Sequence, residues 1–121
     1  NDTLRAELET FAAERGAGEA LVLAGFSFGG YVAATAASRL PAQDRAERLI
    51  LVGPSTQKHQ LPAVPDDTLV VHGEADDVVP LSATLAWARP QSLPIVVVPG
   101  GGHFFHGQIT LLKTIVLRAW H

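Results

Sequence analysis

Ala20-Leu21-Val22-Leu23-Ala24-Gly25-Phe26-Ser27-Phe28-Gly29-Gly30 runs from a short apolar stretch into a serine flanked by glycines, and an alanine-rich stretch follows. Residues 20–24, bounded by glycines, suit a buried parallel strand. Residues 31–40 suit a helix stopped by Pro41. The tight turn over residues 25–30 therefore joins a strand to a helix. A serine on so sharp a turn has a strained backbone. Side chains two residues to either side would collide with the neighbouring strand and helix, and glycines at 25 and 29 remove that collision. Ser27 is expected above the strand end with the helix N-terminus beneath it. The Phe28 N–H then points to where a tetrahedral oxyanion would form, and the helix dipole favours negative charge there. Taken alone, the pattern also fits a glycine-rich turn with an incidental serine; the strand before and the helix after favour a nucleophile. Gly30 either eases helix–strand approach or does nothing.

Working outward, residues 2–15 read as an amphipathic helix. Asp2 is its N-cap, and Leu4, Leu8, Phe11 and Ala12 share one face. Arg48–Val52 is the next apolar strand. Residues 55–67 are polar and contain prolines, and read as loop. A third strand is expected over 68–72, a polar loop over 73–80 and a helix over 81–89. A fourth strand follows over 94–98, then a glycine-rich loop over 99–107. The closing helix spans 108–120, with Ile109, Leu112, Val116 and Trp120 facing inward. The order α-β-α-β-loop-β-α-β-α argues a parallel sheet with crossover helices, a three-layer α/β/α arrangement.

In such a sheet, functional groups gather beyond the carboxyl ends of the strands. His72-Gly73-Glu74-Ala75-Asp76-Asp77-Val78-Val79-Pro80 places Glu74, Asp76 and Asp77 there. Repulsion and desolvation prevent all three carboxylates from sharing one buried site. One is expected to be buried against a histidine and the others solvated, although a wholly solvated acidic loop fits as well. His72, ending a strand, reads as structural. Pro99-Gly100-Gly101-Gly102-His103-Phe104-Phe105-His106 follows the fourth strand. Its glycines let the loop bend toward another strand end. A histidine there could take the Ser27 proton through one ring nitrogen while a carboxylate holds the other. His106 competes with His103 for that place. The two could instead form a metal pair, but zinc wants a third ligand, and no Cys or H-E-x-x-H stretch supplies one, so no metal and no cofactor is expected. His59 and His121 read as surface residues.

Composition narrows the classes. Hydrophobic residues make up 47% and charged residues 17% of the 121, a packed globular balance. A net charge of −3 with no basic stripe argues against nucleic acid. The apolar runs at 21–24 and 95–98 are too short to span a bilayer, and the opening residues do not read as a signal peptide; the cytoplasm is the expected compartment. With no cysteine, disulfides, thiolate metal sites and a Cys nucleophile are excluded. With no methionine, Asn1 is not a translation start, and the chain is expected to be a processed product or a piece of a longer protein.

Ser27, then Asp76, then His103 is an order that resembles the α/β-hydrolase family. Gly25-Phe26-Ser27-Phe28-Gly29-Gly30 is similar to its nucleophile elbow. The stretch from His72 to Pro80 resembles its H-G-x-x-D-x-x-V-P acid loop, which implies Asp76 rather than Asp77 as the acid. Gly102-His103-Phe104-Phe105-His106-Gly107 is similar to the G-x-H-F-F-H-G segment of a small, lidless bacterial subfamily, which implies His103 as the base. The resemblance covers one domain, residues 1–121, corresponding to the C-terminal half of the family fold. It implies a serine hydrolase cleaving esters or thioesters, with Ser27, Asp76 and His103 catalytic, Phe28 in the oxyanion hole, and Phe26 and Phe104 at the substrate. Phe26, Phe28, Phe104 and Phe105 are expected to make the mouth apolar, suited to an acyl chain or aromatic ester. No lid is expected. The early strands and a second oxyanion donor would come from a separate half or from a second copy pairing across the open sheet edge. The competing readings are a truncated, inactive fragment acting as an interaction module and a metal-dependent hydrolase built on His103 and His106.

Overall fold

The computed structural model describes residues 22–40 and 48–119. The expected helix over 2–15, the first two residues of the expected first strand, and Trp120 lie outside them. The described elements are β1 (Val22–Phe26), α1 (Phe28–Arg39), β2 (Arg48–Val52), β3 (Leu69–Gly73), α2 (Leu81–Ala88) with a 3-10 turn (Arg89–Gln91), β4 (Val96–Val98) and α3 (Ile109–Ala119). The strands pair in parallel in the order β1-β2-β3-β4.

Strand alternation sends successive side chains to opposite faces, and the core divides accordingly. Leu23, Leu49, Leu51 and Val70 pack on one face with Ala33 and Ala34 of α1, Ala88 of α2, and Leu61 and Leu93. Alanines let α1 lie close to the sheet, and Gly30 meets Pro54 across that contact, where a Cβ would stand 3.0 Å from the proline Cβ. On the other face Val71, Val98 and Phe105 gather with Val52, Leu69, Leu112 and Ile115. Helices on both faces of a parallel sheet make the three-layer α/β/α architecture expected from the element order.

Several details differ from the sequence reading. The strand expected over 94–98 is Val96–Val98, with Val96 and Val97 exposed. The turn expected over 25–30 shrinks to Ser27 alone. β1 stays paired with β2 as far as Phe26 against Val52, and α1 starts at Phe28. On α3 the packed face is set by Leu112 and Ile115, not Ile109, which is 58% exposed. Ile109 stands in the first turn, ahead of the stretch that reaches Val71, Val98 and Phe105. Phe105, expected at the mouth, is 1% exposed and belongs to this core.

Residues 55–67 hold no helix or strand. They lie against α2: Trp87 Nε1 donates to Pro62 O at 3.4 Å, and Val64 N–H donates to Gln91 Oε1 at 3.0 Å. Among the described residues no helix is long and apolar enough to cross a membrane.

Candidate active site

Ser27 adopts φ 56°, ψ −118°, a conformation that costs a non-glycine residue about 1–3 kcal/mol and persists only where its surroundings over-determine it. Three backbone hydrogen bonds do so. Ser27 N–H donates to Val52 O at 2.9 Å, and Ser27 O accepts from Gly30 N–H at 2.9 Å and Ser55 N–H at 3.1 Å. The turn thus hangs from the end of β2 and from the segment after it. A Cβ at Gly25 would stand 2.0 Å from Gly29 O, an impossible approach between backbone segments. At Gly29 a Cβ would meet nothing within 4 Å among the described residues. A side chain is therefore excluded at 25, as expected, but not at 29, where the collision expected of both glycines does not arise; the backbone of Gly29 is what Gly25 makes room for.

The acid loop leaves β3 at Gly73. Asp76 is 7% exposed, while Glu74 and Asp77 are exposed. Asp76 Oδ1 accepts from Val78 N–H at 2.9 Å and Val79 N–H at 2.7 Å, and Oδ2 lies 2.7 Å from His103 Nδ1. The loop is tied to the one that carries His103. Glu74 N–H donates to Val98 O at 3.0 Å and Ala75 N–H to Gly101 O at 2.9 Å. Glu74 Oε1 accepts from Gly100 N–H at 2.9 Å. The two loops come so close that a Cβ at Gly73 would stand 2.3 Å from Gly101 O.

His103 Nε2 lies 3.0 Å from Ser27 Oγ. With Nδ1 on a carboxylate, the neutral ring carries its proton there and leaves Nε2 free to accept from the serine hydroxyl. The ring is 5% exposed and is packed by Phe26 and Phe104, each with its centroid 5.0 Å away. Phe26 and Phe104 are 41% and 57% exposed, so the mouth beside the imidazole is apolar and open. His106 is exposed; its ring lies 6.2 Å from that of Phe104, outside the hydrogen-bonded set of Ser27, Asp76 and His103. Among the described residues no group of three or more His, Cys, Asp or Glu could hold a metal ion. Phe28 opens α1, where the first N–H groups have no partner within the helix and the dipole is positive.

Burial works against ionisation of Asp76 more strongly than any other single influence. The hydrogen bonds from His103, Val79 N–H and Val78 N–H and the charge of His103 together outweigh it, and the carboxyl pKa falls below the usual aspartate value. The sign follows from linkage. A carboxyl with a depressed folded pKa stabilises the fold above its unfolded value of about 3.9, and that contribution is lost as pH falls through the folded value. A carboxyl-detected NMR titration should therefore place the Asp76 midpoint below about 3.9, and His103→Ala should raise it. A midpoint at or above that value in the unsubstituted chain contradicts the assignment of these contacts.

Beneath the acid loop, His72 was expected to be structural, but Thr84, which it meets, and Thr56 beyond it were not foreseen. His72 is fully buried, and its Nε2 donates to Val79 O at 2.7 Å, which fixes the tautomer. Its Nδ1 then accepts from Thr84 Oγ1 at 3.2 Å, and Thr84 Oγ1 accepts from Thr56 Oγ1 at 2.8 Å. His72 Nε2 also lies 3.5 Å from Asp76 Oδ2. The ring is structural, as read, but what it holds is the loop that presents the carboxylate. His59, read as a surface residue, is half-buried: Ser55 Oγ lies 2.9 Å from its Nδ1, and it stacks on Tyr31.

Solved structures share this architecture. An α/β serine hydrolase without a lid from Xanthomonas campestris is 31% identical, with a TM-score of 0.77, over 96% of this chain and 53% of its own. An α/β serine hydrolase homologue from Coxiella burnetii is 32% identical, with a TM-score of 0.74, over 95% of this chain and 55% of its own. Acyl-protein thioesterase 2 from Zea mays, 18% identical with a TM-score of 0.63 over 94% of this chain and 63% of its own, shares the fold. No protein-family model and no curated protein matches. By these likenesses the chain has a portion of the α/β-hydrolase fold and is similar to α/β serine hydrolases. It spans about half the length of the two serine hydrolases it most resembles among these, and it corresponds to a portion of their fold.

Proposed function

We propose that this chain hydrolyses carboxylic esters or thioesters through an acyl-enzyme, with Ser27 as nucleophile, His103 as general base and acid, and Asp76 as the group that orients His103. One observation carries the reading: a single imidazole bridges Asp76 Oδ2 at 2.7 Å and Ser27 Oγ at 3.0 Å. Few structural needs would bring a buried carboxylate, a buried imidazole and a strained serine together from three separate strand ends.

The steps follow from the atoms. Ser27 Oγ attacks the carbonyl carbon as its proton passes to His103 Nε2. The carbonyl oxygen becomes an oxyanion facing the Phe28 N–H at the head of α1. Asp76 stabilises the imidazolium and keeps it in one orientation without itself taking the proton. The bond from carbon to the leaving oxygen or sulfur breaks, and His103 protonates the leaving group. Water then attacks the acyl-enzyme by the same route, with His103 again as base, and releases the acid and free Ser27. Phe26 and Phe104 form the apolar rim on the His103 side, where the leaving group is protonated.

Mixing the chain with p-nitrophenyl acetate tests this. A burst of p-nitrophenolate stoichiometric with protein, followed by slower turnover, marks acyl-enzyme formation. No burst and no turnover above the buffer rate is the opposing result.

A further inference from the structure

A second group of aromatic rings adjoins the nucleophile turn, and the steps above make no use of those rings. Phe28, Tyr31 and His59 form a three-ring cluster: Tyr31 and His59 are stacked at 4.7 Å and 25°, and Phe28 lies 5.0 Å from His59 and 5.8 Å from Tyr31. Phe28 is 51% exposed although it follows the nucleophile directly. The cluster is not a loose surface contact. Ser55 N–H holds Ser27 O at 3.1 Å while Ser55 Oγ holds His59 Nδ1 at 2.9 Å, so the imidazole is tied to the nucleophile turn through one residue. The other nitrogen of His59 has no hydrogen-bond partner among the described residues.

We propose that Phe28, Tyr31 and His59 form the acyl-side wall of the site, a stacking platform that favours planar aromatic acyl groups over alkyl groups of similar size. The proposal rests on the serine-hydrolase reading and extends it to substrate class. A leaving group must face His103 to be protonated, and the rim there is Phe26 and Phe104. The other carbon substituent of the carbonyl must lie away from His103, and the Phe28 ring, which is not among the rings packed on His103, is the exposed aromatic next to Ser27 available to it. An aromatic acyl group bound there would meet rings already held by mutual contact, so little further ordering is needed on binding. Aromatic pairs exceed plain area burial by an amount that corresponds to about 3- to 10-fold in specificity.

Two measurements test it on the 121-residue chain. The first is the ratio of kcat/KM for p-nitrophenyl phenylacetate to that for p-nitrophenyl hexanoate, esters that share a leaving group. The ratio should favour phenylacetate and should fall by about 3- to 10-fold in His59→Ala and in Tyr31→Leu, each checked for folding by circular dichroism. The second needs no catalysis. Tyr31 is the one tyrosine in the sequence, so its ring NMR signals are unambiguous. In Ser27→Ala, phenylacetamide should shift them and hexanamide should not. A ratio unmoved by both substitutions, or equal shifts with the two amides, overturns the platform. A chain that turns over neither ester defeats the hydrolase reading instead, and the amide titration still decides the platform.

Discussion

Ser27→Ala is expected to eliminate the p-nitrophenolate burst and to lower kcat on the order of 10⁴- to 10⁶-fold. The substitution removes one oxygen from a turn whose shape does not depend on it. The bonds that hold the turn, Ser27 N–H to Val52 O and Gly30 and Ser55 N–H to Ser27 O, are all backbone bonds. The fold should therefore persist with an unchanged melting temperature, which makes the rate loss interpretable. His103 Nε2, 3.0 Å from the lost hydroxyl, then has no nucleophile to activate. The residual rate comes from the Phe28 N–H and from binding, so the loss falls on kcat and on the burst rather than on KM. Stopped-flow and steady-state kinetics on the two proteins check this.

Gly25→Ala should act on the fold itself. Its Cβ would stand 2.0 Å from Gly29 O, 2.3 Å from Gly29 C and 2.7 Å from Gly30 N, all backbone atoms of the first turn of α1. No side-chain rotation relieves such contacts. The strand end and the helix start must separate, which breaks the bonds that hold Ser27. Strain at such a position belongs to the severe class of substitutions, about 3–5 kcal/mol, or a fall in Tm of about 10–20 °C for a domain of this size. Gly29→Ala is the control. Among the described residues its Cβ meets nothing within 4 Å, and it lies inside a helix, so it should be neutral or stabilise by up to about 1 kcal/mol. Thermal melts followed by circular dichroism read both. Equal effects at 25 and 29 would mean that the turn is not packed as described.

The contrast between these glycines shows where sequence reading reached and where it stopped. The parallel sheet was legible because each strand is a short apolar run with a polar or glycine-rich loop at its carboxyl end, and a parallel sheet collects those ends on one side. That topology alone puts residues 27, 76 and 103 at one end of the molecule. Which of neighbouring residues turns inward was not legible. Phe104 and Phe105 are adjacent in a loop with no periodicity, yet one is 57% exposed and the other 1%. The loop places Phe105 at φ 54° and turns its ring into the core with Val71 and Val98. Contacts between elements far apart in the chain were equally hidden. Tyr31 on α1 meets His59 from the 55–67 loop, and His72 on β3 meets Thr84 on α2, and no spacing along the chain encodes either meeting. On α3 the apolar residues outnumber the places available against the sheet, so periodicity alone could not separate Ile109 from Ile115.

The central claim is that His103 and Asp76 make the hydroxyl of Ser27 an unusually reactive nucleophile. A fluorophosphonate probe tests it most directly, because it bonds to an activated serine with loss of fluoride. The expected result is one phosphonyl group per chain, mapped by peptide mass to the segment containing Ser27, and its loss in His103→Ala. No adduct on the folded chain, or labelling of His103→Ala at the unsubstituted rate, would contradict it.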